Sequence, residues 1–412
     1  MYEAYQAHTD LMWPMRTLAK TSLPWLRDNT WGWAELDGHR KLAAAFEVIK
    51  LGEVTHMRPP FGIASAMVKG EPVPVTEEAT HVTPFGTLLH FKKALPASVS
   101  PQPRVLVVAP MSGHFATLLR DTVETMLPDH DVYITDWHNA REVPLMHGRF
   151  GLDEYTEHLM EFLRVIGPGA HLMAICQPCV SALSAVALMS EDGDIATPAS
   201  LTLMAGPIDC RISPTEVNKL AMTKGIEWFE QNLVSRVPWR YAGRGRRVYP
   251  GFMQLTAFMS MNKERHVNAF KEYYANLAHP EPDEETVQKA EHTRKFYEEY
   301  FAVADLPAEF YLETVSLVFQ EYALPLGQLK FRGRTINPAA IKRTALLTVE
   351  GERDDICATG QTLAAQDLCS SLRPYMRTHY VQAGVGHYGV FSGRRWKGQI
   401  YPVVRDVIHV SQ

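Results

Sequence analysis

No stretch of the 412 residues approaches the roughly 20 consecutive apolar residues that a membrane-spanning helix needs. The opening residues, MYEAYQAHTDLMWPM, lack the basic segment and apolar core of a secretory signal. Cysteine is scarce. The five at 176, 179, 210, 357 and 369 are odd in number and irregularly spaced, which excludes a disulfide framework and points to reduced thiols in a cytoplasm. No second Cys/His pair lies at ligand spacing, so no metal is expected. Excess positive charge is also missing: the formal net charge is −5 and the sequence pI about 6.4, so no basic field calls for nucleic acid. The basic stretch 240–247 (RYAGRGRR) is a local exception, read as a solvated loop, with contact to an anionic cofactor or to a partner surface as the alternative.

What is present is the composition of an ordinary soluble enzyme, 46% apolar and 21% charged. The length suits one large α/β domain carrying an insertion, or two modest domains. Residues 1–79 read as a helical region followed by an extended connector, because prolines at 59, 60, 72 and 74 punctuate its end. Its aromatics, Trp13, Trp25, Trp31 and Trp33, read as core packing, with an exposed face that meets an apolar partner as the alternative. Residues 80–209 change texture. An antiparallel hairpin or edge strand (HVTPFGTLLHFKK) is followed by the apolar runs RVLVVAP, DVYITDW, HLMAI and SLTLMAG, alternating with helical patterns, which predicts a mostly parallel sheet with right-handed crossovers. Residues 210–340 are helical and rich in Phe and Tyr, read as an inserted cap whose aromatics pack internally or line an apolar acyl-binding cleft. Residues 341–412 resume the α/β rhythm with TALLTVEG and RTHYVQAG.

The chemistry concentrates where strands end. In Ala174-Ile175-Cys176-Gln177-Pro178 a strand stops, a nucleophile-capable residue sits at the turn, and a helix of small residues begins. This is the context of the nucleophile elbow of α/β-hydrolases. A helix start also lowers a thiol's pKa, and the N–H of Gln177 would be an oxyanion donor. Both glycines of the usual Gly-x-Ser-x-Gly box are gone, although proline is welcome in a helix's first turn. After TALLTVEG comes Glu352-Arg353-Asp354-Asp355; Asp354, three residues past the strand-ending glycine, is the favoured acid and Asp355 the alternative. Then Gly386-His387-Tyr388-Gly389 places a histidine in a glycine-rich loop after the last strand. The order nucleophile, acid, histidine is that of the α/β-hydrolase fold. Met111 and Ser112, after RVLVVAP, occupy the place of the second oxyanion N–H. Asp136 ends another strand and reads as a structural cap.

Several blocks of sequence resemble the intracellular poly(3-hydroxybutyrate) depolymerases: ICQP at 175–178, VAPMSGHFATLLRDTVE at 108–124, ITDWHNARE at 134–142, LMAGPID at 203–209, TVEGERDDI at 348–356 and AGVGHYGVFSGRRW at 383–396. The resemblance implies an α/β-hydrolase fold with a helical cap and a polyester storage granule as substrate and partner. It carries over Cys176 as nucleophile, the Asp354/Asp355 pair as acid and His387 as base. It implies no cofactor, with water or coenzyme A as acyl acceptor, and leaves room for a homodimer. The chain departs from the family at Cys179-Val180-Ser181, where a proline often follows. Three rivals stay open: a polyhydroxyalkanoate synthase-like acyltransferase, a thiol-disulfide redox protein using Cys176-x-x-Cys179, and a granule coat with a dead hydrolase fold.

Overall fold

The computed structural model describes residues 1–27, 36–96, 99–261 and 263–412. Its centre is a nine-stranded sheet. In chain order the strands are β1 (Ser65–Val68), β2 (Glu71–Val82), β3 (Gly86–Lys93), β4 (Arg104–Val108), β5 (Asp131–Trp137), β6 (His171–Ile175), β7 (Ser200–Met204), β8 (Ala345–Gly351) and β9 (Arg377–Gln382). Across the sheet they run β1-β2-β3-β5-β4-β6-β7-β8-β9. The first three and the β3/β5 pair are antiparallel, and every other pair is parallel. This is the α/β-hydrolase fold. The runs HLMAI and SLTLM are buried along their whole length, as strands covered by helices on both faces must be.

The strand order reverses at β4. After it the chain moves outward to β5 and then returns to the other flank as β6, so the carboxyl ends of β4 and β6 border the crevice where open α/β sheets bind ligands. Helices α3 (Arg120–Met126) and α4 (Leu152–Ile166) follow β4 and β5, and helix α5 (Cys179–Glu191) follows β6 and is buried at every position from Cys179 to Met189. Its run of Ala, Ser and Val is apolar all round, as a helix enclosed on all sides requires.

Of residues 58–77, expected to be an extended connector, 58–64 carry no regular structure, but most of 65–77 form strand. β1 and the start of β2 make a hairpin on the sheet's edge, with Pro72 opposite Met67 and Pro74 opposite Ser65. The Val75 N–H donates to Ala64 O on the β1 side, so by alternation Pro72 and Pro74 turn their nitrogens the other way. There the pairing with β3 begins only at Val75, and the missing donors cost the ladder nothing.

Helices α1 (Tyr2–Arg27) and α2 (Asp37–Leu51) open the chain. Trp13 and Trp25, expected in the core, lie 65% and 82% exposed; Trp31 and Trp33 fall outside the described residues. Between β7 and β8 come α6 (Glu216–Met222), α7 (Ile226–Leu233), α8 (Gly251–Met261), α9 (Lys263–Leu277) and α10 (Glu284–Tyr300). Asp305 ties this helical region to the rest: its carboxylate accepts from Tyr2 OH at 2.6 Å and from the Gly251 N–H at 2.9 Å, while its own N–H donates to Asn139 Oδ1 at 3.0 Å. The basic stretch is a solvated loop only in part: Arg240 and Arg244 are exposed, but other contacts tie it down. Arg246 is buried and donates to the carbonyls of Val143, Pro144 and Gly148, Arg240 pairs with Asp10, and Arg247 pairs with Glu230.

Candidate active site

Cys176 follows β6 directly and takes φ +67°, a left-handed conformation that only glycine adopts cheaply. Its N–H donates to Met204 O at 2.8 Å, and the Cys179 N–H closes the turn on Cys176 O at 3.2 Å. The strained turn lifts the Cys176 side chain off the sheet at the entrance to α5, as a nucleophile elbow does. Gly206, in the neighbouring strand's loop, makes the close passage possible: a Cβ there would run into Cβ and Sγ of Cys179.

All five cysteines are free, and only Cys176 is partly exposed. Burial pushes up the thiol pKa of Cys179, Cys210, Cys357 and Cys369. Cys179 is turned inward and donates to Ala174 O at 3.4 Å, so the second sulfur of the C-x-x-C is closed to an exchange partner.

The loops after β8 and β9 bring Asp354 and His387 together. His387 Nδ1–H donates to Asp354 Oδ2 at 2.8 Å, with both side chains buried. The other carboxylate oxygen accepts from the N–H groups of Ile356 and Cys357 at 2.9 and 2.8 Å, so one residue both orients the imidazole and caps its own turn. Asp355 is exposed and lines the pocket instead. Burial would depress the imidazole's pKa, but the charges of Cys176 and Asp354 and the hydrogen bonds to both outweigh it and hold His387 well above its ordinary value.

At the end of β4, Ala109 is fixed from three sides: its N–H donates to Thr135 Oγ1, and its carbonyl accepts from Trp137 Nε1 and Tyr155 OH. Since Val108 pairs with Ala174, the next residues run beside Cys176. The N–H groups of Met111, Ser112 and Gln177 donate to no protein acceptor among the described residues. Gly113, at φ +92°, lets Gln254 of α8 pack directly on this loop. Asp136 is held elsewhere, by Arg58 at 2.7 Å.

A cavity of about 630 Å³ opens over His387, between its loop and the helices α9 and α10; Phe258, Phe296, Tyr297, Tyr300 and Tyr388 supply aromatic walls, and Arg265 and Arg353 also line it. Among the described residues no group of three or more His, Cys, Asp or Glu side chains could hold a metal ion, and no helix is long and apolar enough to cross a membrane.

Sequence reasoning passed over Glu350. Buried in β8, it accepts from the N–H groups of Gly360, Thr362 and Leu363 at 2.8–3.0 Å, and Thr362 Oγ1 bridges on to Gly206. It thereby closes the loop that carries Asp354. An acid inside an otherwise apolar strand was the available signal.

The fold and this constellation define an α/β-hydrolase. A family model described as PHB de-polymerase C-terminus matches residues 205–412, and the chain belongs to that family, hydrolases acting on carboxylic ester bonds. No curated protein matches. Among solved structures, the chain is similar to a meta-cleavage product hydrolase from Pseudomonas fluorescens IP01 (12% identity, 84% of this chain and 98% of that one, TM-score 0.41). It is also similar to the 2-hydroxy-6-oxo-6-phenylhexa-2,4-dienoate hydrolase of Rhodococcus sp. strain RHA1 (10%, 82% and 99%, TM-score 0.43) and a thermophilic esterase from Thermogutta terrifontis (14%, 81% and 98%, TM-score 0.40).

Proposed function

We propose that the chain is an intracellular depolymerase that cleaves the ester bonds of poly(3-hydroxybutyrate) storage granules through a cysteinyl thioester. Cys176 is the nucleophile, His387 the base and Asp354 the residue that fixes the imidazole's tautomer. His387 takes the thiol proton, and Cys176 Sγ adds to the ester carbonyl carbon. The N–H groups of Gln177 and of Met111 or Ser112 receive the oxyanion. The carbon–oxygen bond breaks, the leaving alkoxide collects the proton from His387, and the shortened chain departs as an alcohol. Water then attacks the thioester, giving its proton to His387; the acid product leaves and the thiolate returns. Coenzyme A is retained as an alternative acceptor, because Arg265 and Arg353 form no side-chain ion pair or hydrogen bond among the described residues and are free to meet an anionic thiol. Free thiols throughout agree with a reducing compartment.

The observation that carries the reading is one accessible thiol, on a positive-φ turn, interacting electrostatically with an imidazole that is bonded to a buried carboxylate. Native amorphous granules incubated with the wild type, with and without coenzyme A, should release 3-hydroxybutyrate or its thioester; Cys176→Ala should release neither. Undiminished release by that variant ends the proposal.

A further inference from the structure

Three tyrosines line the cavity over His387: Tyr297, Tyr300 and Tyr388. Tyr297 is engaged within the protein, its hydroxyl meeting His266 Nδ1 at 2.9 Å. The other two use only their backbones: the Tyr388 carbonyl accepts from Ser392 Oγ at 2.9 Å, and the Tyr300 carbonyl meets His114 Nε2 at 3.2 Å. Neither of their hydroxyls has a hydrogen-bond partner among the described residues, and neither is sealed off from open space. Both rings are nonetheless fixed. Tyr300 stacks on Phe296 at 5.3 Å and on His266 at 5.4 Å. Tyr388 packs against Phe391 at 5.6 Å, in the short turn His387–Val390 that carries the imidazole. It also lies within electrostatic reach of Tyr300 and Cys176. Burial, reinforced by those two groups and by Asp355, raises the pKa of Tyr388, so the phenol keeps its proton and stays a donor. A phenol held in a buried wall ordinarily finds a partner. Two without one, beside a reaction site, are directed at a ligand.

We infer that Tyr388 is a specificity-determining donor, its hydroxyl directed at the carbonyl oxygen of the repeat unit on the leaving side of the bond being cleaved. The inference rests on the function proposed above. There His387 returns its proton to the leaving alkoxide, so the leaving unit lies against the histidine loop, of which Tyr388 is the next residue. In a 3-hydroxyacyl polyester that unit has an ester carbonyl of its own, separated from the departing oxygen by two carbons. The interior of such a chain holds acceptors alone, with no N–H or O–H, and free phenols match it. The scissile carbonyl already has its donors in the backbone N–H groups of Gln177 and of Met111 or Ser112, which leaves the phenol for the neighbouring ester. A simple ester offers nothing at that place, so the contact separates polyester from monoester.

The test uses the full-length protein and two substrates that share an acyl unit. One is the methyl ester of the 3-hydroxybutyrate dimer. The other is 2-butyl 3-hydroxybutyrate, whose leaving alcohol has a methyl group where the first has its ester. Release of each alcohol is timed for the wild type and Tyr388→Phe, and thermal melting is recorded for both. The wild type should favour the dimer ester in kcat/KM. In Tyr388→Phe the ratio of the two kcat/KM values should fall roughly tenfold, the worth of one hydrogen bond in a water-poor site. The alcohols' different leaving abilities are common to both enzymes and cancel in this comparison. Because the hydroxyl bonds nothing in the free protein, the melting temperature should hold. A wild type indifferent to the two substrates overturns the assignment. So does an unchanged ratio in the variant, an equal fall on both substrates included, or a clear drop in its melting temperature. If the wild type releases neither alcohol, the functional reading fails separately. Tyr388 is then judged by calorimetric binding of the dimer ester to Cys176→Ala with and without Tyr388→Phe, where equal affinities or no binding overturn it.

Discussion

One sulfur and one imidazole set the behaviour of the site through environments that oppose each other. Four of the five thiols are buried and pushed toward the protonated form, Cys369 even with the Arg377 charge acting the other way, whereas Cys176 shares its surroundings with His387. For His387 the sign is clear. Its folded pKa lies above the unfolded value of about 6.5, so the stability it contributes is complete below that pH and is lost as pH rises through the folded pKa. Removing the sulfur leaves burial with less opposition. In Cys176→Ala the imidazole should titrate at lower pH than in the wild type, read from its ring-proton NMR shifts, and a rise instead would mean that the two groups do not communicate. Asp354→Asn should lower kcat by about 10⁴-fold, while Asp355→Asn should leave it within a few fold; reversed effects would move the orienting role to the exposed neighbour.

At the scale of elements, the loop after β8 is held by a carboxylate rather than by regular structure. Glu350 gathers the N–H groups of Gly360, Thr362 and Leu363, and without it those donors face a buried strand unpaired. Hydrogen bonds to a charged acceptor contribute about 1.5–3 kcal/mol each against an unfilled partner. Glu350→Ala, which leaves the three donors without an acceptor, should therefore cost about 2 kcal/mol or more in urea unfolding and slow ester cleavage, because the Asp354 turn loosens with it. A variant as stable as the wild type would show that the loop is supported elsewhere.

Across the whole molecule, α1 presents a face that no other described residue covers. Leu11, Met15, Leu18 and Trp25 fall at i, i+4, i+7 and i+14, and Leu11, Leu18 and Trp25 are 77%, 58% and 82% exposed. An apolar ridge of this kind suits a flat apolar phase better than a concave partner, and on the proposed function that phase is the polymer itself. Leu18→Glu with Trp25→Ser should leave thermal stability within about 0.5 kcal/mol and hydrolysis of a soluble short ester intact, yet reduce co-sedimentation with amorphous granules. Full retention on granules would show that another surface makes the contact.

The chain's local patterns determine a good deal. Runs such as HLMAI and SLTLM, too short for a helix and bounded by turn residues, read as buried strands. Once the strands are in order, so are the loops at their carboxyl ends, and Cys176, the Asp354/Asp355 pair and His387 could be named without coordinates. What local pattern could not carry was any fact that depends on residues distant in sequence. Proline near residue 72 signals a connector until the register shows that its missing donor faces the end of β3. Trp13 and Trp25 signal a core until the helix is placed, and Arg246 signals solvent until three carbonyls surround it. Asp354 and Asp355 are chemically identical, and only the tertiary fold, by burying one against an imidazole 33 positions away, makes them different. Apolar periodicity is written along the chain; the environment that tunes a charge is assembled across it.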